Sequence, residues 1–130
     1  MSYCLDTNIV FALLRGEALL KNKFIEFSLS GQFYITYITL CELYKGAFLS
    51  KLSEKSLQEI ESFLQTTEVL DFDIDACKIF GEEYARLNKI GKQTQESDLM
   101  IASIAKTYGL TIITRNKKDF ENIDVKLEVW

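Results

Sequence analysis

Apolar positions along the chain fall into runs with two alternating rhythms. "SYCLD" (2–6), "QFYITYIT" (32–39), "EVLDF" (68–72), "LTIIT" (110–114) and "VKLEVW" (125–130) are short and rich in β-branched and aromatic residues, so they read as strands. Between them, apolar residues recur every three or four positions. "NIVFALLR" predicts a helix stopped by Gly16, and "EALLKNKFIEFSLS" places Leu20, Phe24 and Phe27 on one stripe closed by Gly31. "LCELYKGAFLS" sets Leu40, Leu43 and Ala47 on one face. "SEKSLQEIESFLQT" does the same with Leu57, Ile60 and Leu64 behind a Ser53 cap. A further helix, capped by Asp73 or Asp75, runs to Leu87 with Ala76, Phe80 and Tyr84 inward. "DLMIASIAKTYG" forms the last helix and ends at Gly109.

Strands alternating with helices predict an α/β domain around a mostly parallel sheet of about five strands. No proline, repeat or linker interrupts the pattern, and 130 residues at 48% hydrophobic read as one domain spanning 1–130. The one polar loop of note is "GKQTQES" (91–97).

Ligands of parallel sheets bind outside the carboxyl ends of the strands. The side chains expected at that rim are acids. Asp6 follows the first strand, and Glu42 falls in the first turn of the helix after the second. Asp98 starts the helix behind the polar loop. Asp119 lies in "TRNKKDF" after the fourth strand, beside Thr114 and Asn116. Singly, each has an ordinary explanation as a helix cap, a first-turn acid or a solvated charge. Gathered about 5 Å apart, carboxylates repel by roughly 3 kcal/mol per pair at an effective dielectric of about 20. Such a cluster makes sense chiefly around a divalent cation.

Composition narrows the chemistry. Formal charge is 15 − 19 = −4, so no global basic field holds nucleic acid non-specifically. Histidine is absent, which removes Ser-His-Asp triads, imidazole-based ribonuclease chemistry and HExxH zinc sites. Cys4, Cys41 and Cys77 are widely spaced in apolar contexts and read as buried structural thiols. A ligand set of oxygens alone suits Mg²⁺ or Mn²⁺ rather than Zn²⁺, and the chemistry it implies is metal-assisted phosphodiester hydrolysis. Arg15, Lys45, Lys89, Lys92 and Arg115 fall near expected rim loops, as phosphate contacts or as plain surface charges. No signal-peptide pattern and no apolar run of spanning length is present, so no membrane association and cytoplasmic residence are expected.

In order and spacing, "YCLDTNIVFALL", "ITLCELYKGA", "SDLMIASIAKTYGLTIITRNKKDF" and "VKLEVW" resemble the PIN-domain ribonucleases, and among them the VapC-type toxins of bacterial toxin–antitoxin pairs. The stretch from Asp98 to Phe120 is the most specific part. The resemblance implies a three-layer α/β/α fold, a Mg²⁺- or Mn²⁺-dependent endoribonuclease site and an RNA substrate, tRNA among the candidates. It also implies homodimerisation and inhibition by a small antitoxin. Asp6, Glu42 and Asp98 match the three metal-site acids, with Asp6 and Asp98 on the ion and Glu42 and Asp119 acting through water. Asp119 matches a fourth acid that some members carry. Thr114 and Asn116 match the polar pair that orients ligands there, with Thr7 and Asn8 in the same role beside Asp6. The chain departs from the family where "GKQTQES" replaces a Gly-Pro-Ile-like stretch, where Glu96 adds an acid, and where Asn116 replaces an Asp.

An acidic pocket on an acidic protein should also attract a basic side chain from an antitoxin, Arg before Lys because of its bidentate geometry. An apolar helix of that partner is expected in a groove beside the first helices, near Leu13, Leu14, Leu20 and Phe24. The rival readings are a phospho-acceptor receiver domain, an Asp-nucleophile phosphatase, and a PIN-like fold whose site has become a binding surface. The first two want a second acid near Asp6, where Thr7 and Asn8 stand. The third is weighed against the intact acids.

Overall fold

Five strands pair in the order β3-β2-β1-β4-β5, and every neighbouring pair is parallel. They are β1 (Ser2–Leu5), β2 (Gln32–Thr36), β3 (Glu68–Leu70), β4 (Thr111–Thr114) and β5 (Leu127–Val129). The computed structural model describes all 130 residues. Parallel pairing demands crossovers; the six helices supply three of them in pairs, on both faces, and a 3-10 turn, Lys117–Asp119, lies in the fourth, from β4 to β5. Helices α1 (Thr7–Leu14), α2 (Ala18–Ser28), α3 (Tyr37–Leu49) and α4 (Ser53–Leu64) pack on one side. Helices α5 (Ile74–Lys89) and α6 (Glu96–Thr107) pack on the other.

Side-chain alternation along the strands builds the two cores. Tyr3, Leu5 and Ile113 meet Ile9, Val10, Leu43 and Ile60 on one face. Cys4 and Ile112 meet Leu87, Leu99, Ala102 and Phe120 on the other. The result is the three-layer α/β/α arrangement. Gly31 is demanded by close approach, because a Cβ there would stand 2.2 Å from the carbonyl oxygen of Met1.

Several boundaries differ from the sequence reading. β2 stops at Thr36, and α3 starts at Tyr37. The Thr36 hydroxyl accepts the Thr39 N–H at 3.2 Å, and that cap outweighs the strand preference of Tyr37, Ile38 and Thr39. Glu42 therefore lies in the second turn of α3 rather than the first. Ser53 is the first residue of α4, not its cap, and α6 begins at Glu96, so Asp98 sits inside its first turn. Asp73 caps α5, accepting from the Ala76 N–H at 2.9 Å.

The inward stripe of α5 is Ala76, Glu83 and Leu87, while Tyr84 is 49% exposed, because 3.6 residues per turn carries position 84 off the stripe that position 76 begins. Glu83 is tolerated inside because Arg86 at 2.6 Å and Lys106 at 3.8 Å pair with it. Cys4 is buried, but Cys41 and Cys77 are exposed on outer helix faces. Leu20 is buried, and Phe24 stacks on Phe33 at 4.3 Å, so neither is free to receive a partner.

The chain steps outward from β1 to β2 and β3, then crosses back to lay β4 on the other flank of β1. The topological switch thus lies between the carboxyl ends of β1 and β4, where an open α/β sheet offers a crevice. Asp6 and Thr114 stand at those two ends.

Candidate active site

Asp6 is the residue after β1 and the N-cap of α1. Its Oδ1 accepts the Thr7 N–H at 2.8 Å, and its Oδ2 accepts the Thr114 hydroxyl at 2.8 Å. It is 3% exposed. Asp6 thus caps α1 and at the same time stands buried at the rim, bonded to Thr114 across the switch point. A carboxylate offers about four lone-pair positions, so two donors leave room for a further partner. Burial raises its pKa first, the Thr114 and Thr7 bonds pull it down, and repulsion from Asp119 and Glu42 pushes it up again.

Thr114 is oriented from behind. The Asn116 backbone N–H donates to the Thr114 hydroxyl oxygen at 3.0 Å, so the hydroxyl proton is directed at Asp6. Asn116 thus takes part through its main chain, while the residue itself is exposed.

Glu42 is held by Thr7, whose hydroxyl lies 2.8 Å from Glu42 Oε1 and 3.1 Å from Thr39 Oγ1. With one proton, Thr7 gives it to the carboxylate and accepts from Thr39. Nothing local singles out Thr39, which falls in a run that reads as a strand. Asn8 is half-buried, and its side-chain oxygen is buried without a partner, an unsatisfied acceptor next to the acids in sequence.

Asp98 reaches the same site from α6. Its carboxyl is raised to about 7, first by burial and then by repulsion from Asp119, Asp6 and Glu42 in that order. The structure thus brings all four acids from four separate segments into one field. Asp119 closes a 3-10 turn, Lys117–Asp119, which is anchored by the fully buried Phe120. The Thr94 hydroxyl donates to the Asp119 carbonyl at 3.1 Å and ties the polar loop to that turn. Thr94 was invisible to pattern reading, since the pair is 25 residues apart. Glu96 is exposed and takes no part in raising Asp98.

Cys4 lies just behind Asp6, and burial pushes its thiol up to about 12, with the charge of Asp6 adding to the shift. It is no ligand at neutral pH. Of the basic residues, Arg15 and Arg115 converge on Glu17, Arg15 at 3.6 Å and Arg115 through two guanidinium nitrogens. Lys45 and Lys89 are exposed, and Lys92 lines a pocket behind α6.

No three of the acids close tightly enough around one point to enclose an ion by themselves. That suits a hard cation such as Mg²⁺, which keeps several waters and takes one or two carboxylates plus substrate phosphate. The donors are all oxygens, and Asp98, raised first by burial, is raised further by three uncompensated neighbouring acids. A divalent cation would compensate them.

A family model described as "PIN domain" matches residues 3–126. The chain is 34% identical to "Ribonuclease VapC2" of Haemophilus influenzae, covering 100% of this chain and 98% of that protein. It is 35% identical, with the same coverage, to "tRNA(fMet)-specific endonuclease VapC" of Shigella flexneri. The fold superposes on VapBC2 from Rickettsia felis, solved bound to a DNA fragment from its promoter, with a TM-score of 0.94 at 30% identity over 100% and 99% of the two chains. DNA-bound VapBC from Salmonella typhimurium gives a TM-score of 0.91 at 32% identity over 100% and 98%.

Proposed function

The chain belongs to the PIN-domain family, with VapC ribonucleases as its full-length relatives, and from that premise we infer that it is a metal-dependent endoribonuclease and the toxin of a toxin–antitoxin pair. The observation that carries this reading is the convergence of Asp6, Glu42, Asp98 and Asp119 on one rim, where burial first and then mutual repulsion raise Asp98 to about 7. A receiver domain or phosphatase has no use for four acids in this arrangement, and a silent binding surface has no reason to sustain their repulsion.

Asp6 and Asp98 would hold Mg²⁺ or Mn²⁺, and Glu42 and Asp119 would support it from the same rim. The bound cation supplies charge stabilisation at the scissile phosphate and a nucleophile at neutral pH. The chain's own residues set the geometry. Thr114 favours the charged form of Asp6 and aims it, Thr7 fixes Glu42, and Asn8 keeps a buried acceptor without a partner beside Thr7 in the chain. RNA is the substrate, and tRNA is its first candidate by the name of the Shigella relative.

The partner reading follows from the same site. An antitoxin places an Arg among the acids and lays an apolar helix on the groove between α1, α3 and α4. That groove, about 540 Å³, presents Phe11, Leu14, Leu43, Ala47 and Ile60. Exposed Phe48, Leu49 and Leu52 offer a separate face to a second copy of the chain, giving a homodimer. No helix is long and apolar enough to cross a membrane; a tRNA substrate would place the protein in the cytoplasm.

Purified protein should cut tRNA in Mg²⁺ or Mn²⁺, stop on chelation, and be silenced by the small protein that co-purifies from its native cell. Cleavage undiminished by chelator would overturn the metal reading. Harmless expression of an active enzyme with no small partner would overturn the toxin reading.

A further inference from the structure

Behind the acids, α5 ends in a turn that leads into the polar loop, and between them lies a second concavity of about 240 Å³. Tyr84, Leu87, Asn88, Lys92, Thr94 and Glu96 wall it, with Gln93 at its mouth. Resting on the nuclease reading above, we propose that this pocket seats one base of the RNA beside the bond that is cut.

The chemistry of the wall fits a nucleobase. Tyr84 exposes an aromatic face, and it is backed by Phe80, with ring centroids 6.1 Å apart, which Phe72 supports in turn at 6.2 Å. An aromatic platform held in this way stacks any base. Leu87 is 3% exposed and forms an apolar floor. Asn88 and Gln93 carry amides able to donate and accept along a base edge. Glu96, the acid that the metal site does not use, can accept from an exocyclic amino group. Lys92 supplies a cation for a neighbouring phosphate.

The pocket is also rigid. Gly91 adopts φ +69, the Lys92 N–H donates to the Leu87 carbonyl at 2.9 Å, and the Gly91 N–H donates to the Asn88 carbonyl at 3.3 Å. This is the Schellman closure of a helix end, which fixes the turn before any ligand arrives. The volume suits a single base rather than a larger ligand, since pockets for drug-sized molecules begin near about 300 Å³.

The position is as telling as the lining. Thr94 stands in the pocket wall, and its hydroxyl holds the Asp119 carbonyl. Glu96 and Asp98 share the first turn of α6. Through Thr94 the pocket wall is bonded to the main chain of the turn that carries Asp119, so the pocket flanks the acid cluster and a base seated here would bring a neighbouring phosphodiester of the same strand toward it. The extra acid and the unusual loop that set this chain apart from the family pattern would then have one use, choice of sequence at the cut.

Two measurements test this. Cleavage of a randomised RNA oligonucleotide pool, read by sequencing, should show a base preference at one position beside the cut in the wild type. Tyr84→Ala should flatten that preference and raise KM about tenfold, the loss expected for one stacked base, while Tyr84→Phe keeps both. In parallel, metal-free protein should be titrated with each of the four nucleoside 5′-monophosphates. The side-chain amide resonances of Asn88 and Gln93 should move, and with one base more than the others. Unchanged preference and KM in Tyr84→Ala, or amide resonances that none of the four moves, would overturn the proposal. A change of oligomeric state in Tyr84→Ala with base preference intact would assign the face to a protein contact and overturn it equally. If the wild type cuts no RNA while the amide resonances shift, the nuclease reading fails and the base pocket stands.

Discussion

Asp98 is the residue at which the electrostatic account is most exposed to test. Its carboxyl rises from the ordinary 3.8 to about 7 in the folded protein, and that of Asp6 also rises. Between about pH 4 and pH 7 the folded chain therefore holds protons that the unfolded chain has released, so stability falls as pH rises through that window. Metal-free protein should melt several degrees higher at pH 5.5 than at pH 8. Asp98→Asn should remove most of that slope and raise the pH 8 stability by about 2 kcal/mol, a figure halved for the solvent that screens a half-buried carboxyl. Differential scanning calorimetry across pH checks both, and an Asp98→Asn slope equal to the wild type's would contradict the shared field. Thr114 gives a second, independent test. Its hydroxyl bond favours the charged form of Asp6, so Thr114→Val should raise the pKa of Asp6 further and slow cleavage about tenfold, given that a bond to a charged group contributes about 1.5–3 kcal/mol. The deficit should grow as pH falls, and a pH-independent loss would point to packing instead.

At the scale of elements, what was legible in the sequence follows from which forces are local. The order of strands and helices was readable because β-branched runs and helical stripes each declare themselves within a few residues. Asp6, Glu42, Asp98 and Asp119 could be named because a parallel sheet sends its strand ends to one rim, and because the resemblance to a family aligned the same positions. What escaped were contacts between distant segments. Thr7 to Glu42 spans 35 residues and Thr114 to Asp6 spans 108, so no window reveals either. The early start of α3 turned on the Thr36 cap, which outweighed a strand-like composition. Tyr84 was misplaced by assuming a strict four-residue repeat. Phe120 anchors the turn that carries Asp119 and is wholly buried. Phe120→Ala should cost about 3–5 kcal/mol, the usual range for emptying such a site. Chemical denaturation would report it, and a loss under 1 kcal/mol would mean that the turn is held by its main chain alone.

For the whole molecule, net charge and site charge point the same way. A protein of formal charge −4 that gathers four acids on one rim cannot attract RNA by its overall field. On the proposed reading, recruitment would come from a bound cation and from local groups such as Lys92. The same acidity would draw an antitoxin's Arg into the site. The two uses exclude each other at one place, which is how inhibition and catalysis would share a single feature of the fold. The most direct test is the single-turnover rate at which wild type and Asp98→Asn cut one tRNA in Mg²⁺, with both proteins shown to be folded by circular dichroism. The acid cluster as metal site predicts a fall of at least about a hundredfold, equivalent to about 2.7 kcal/mol of barrier. Cleavage by Asp98→Asn within about threefold of the wild-type rate, under 1 kcal/mol on the same scale, would contradict it.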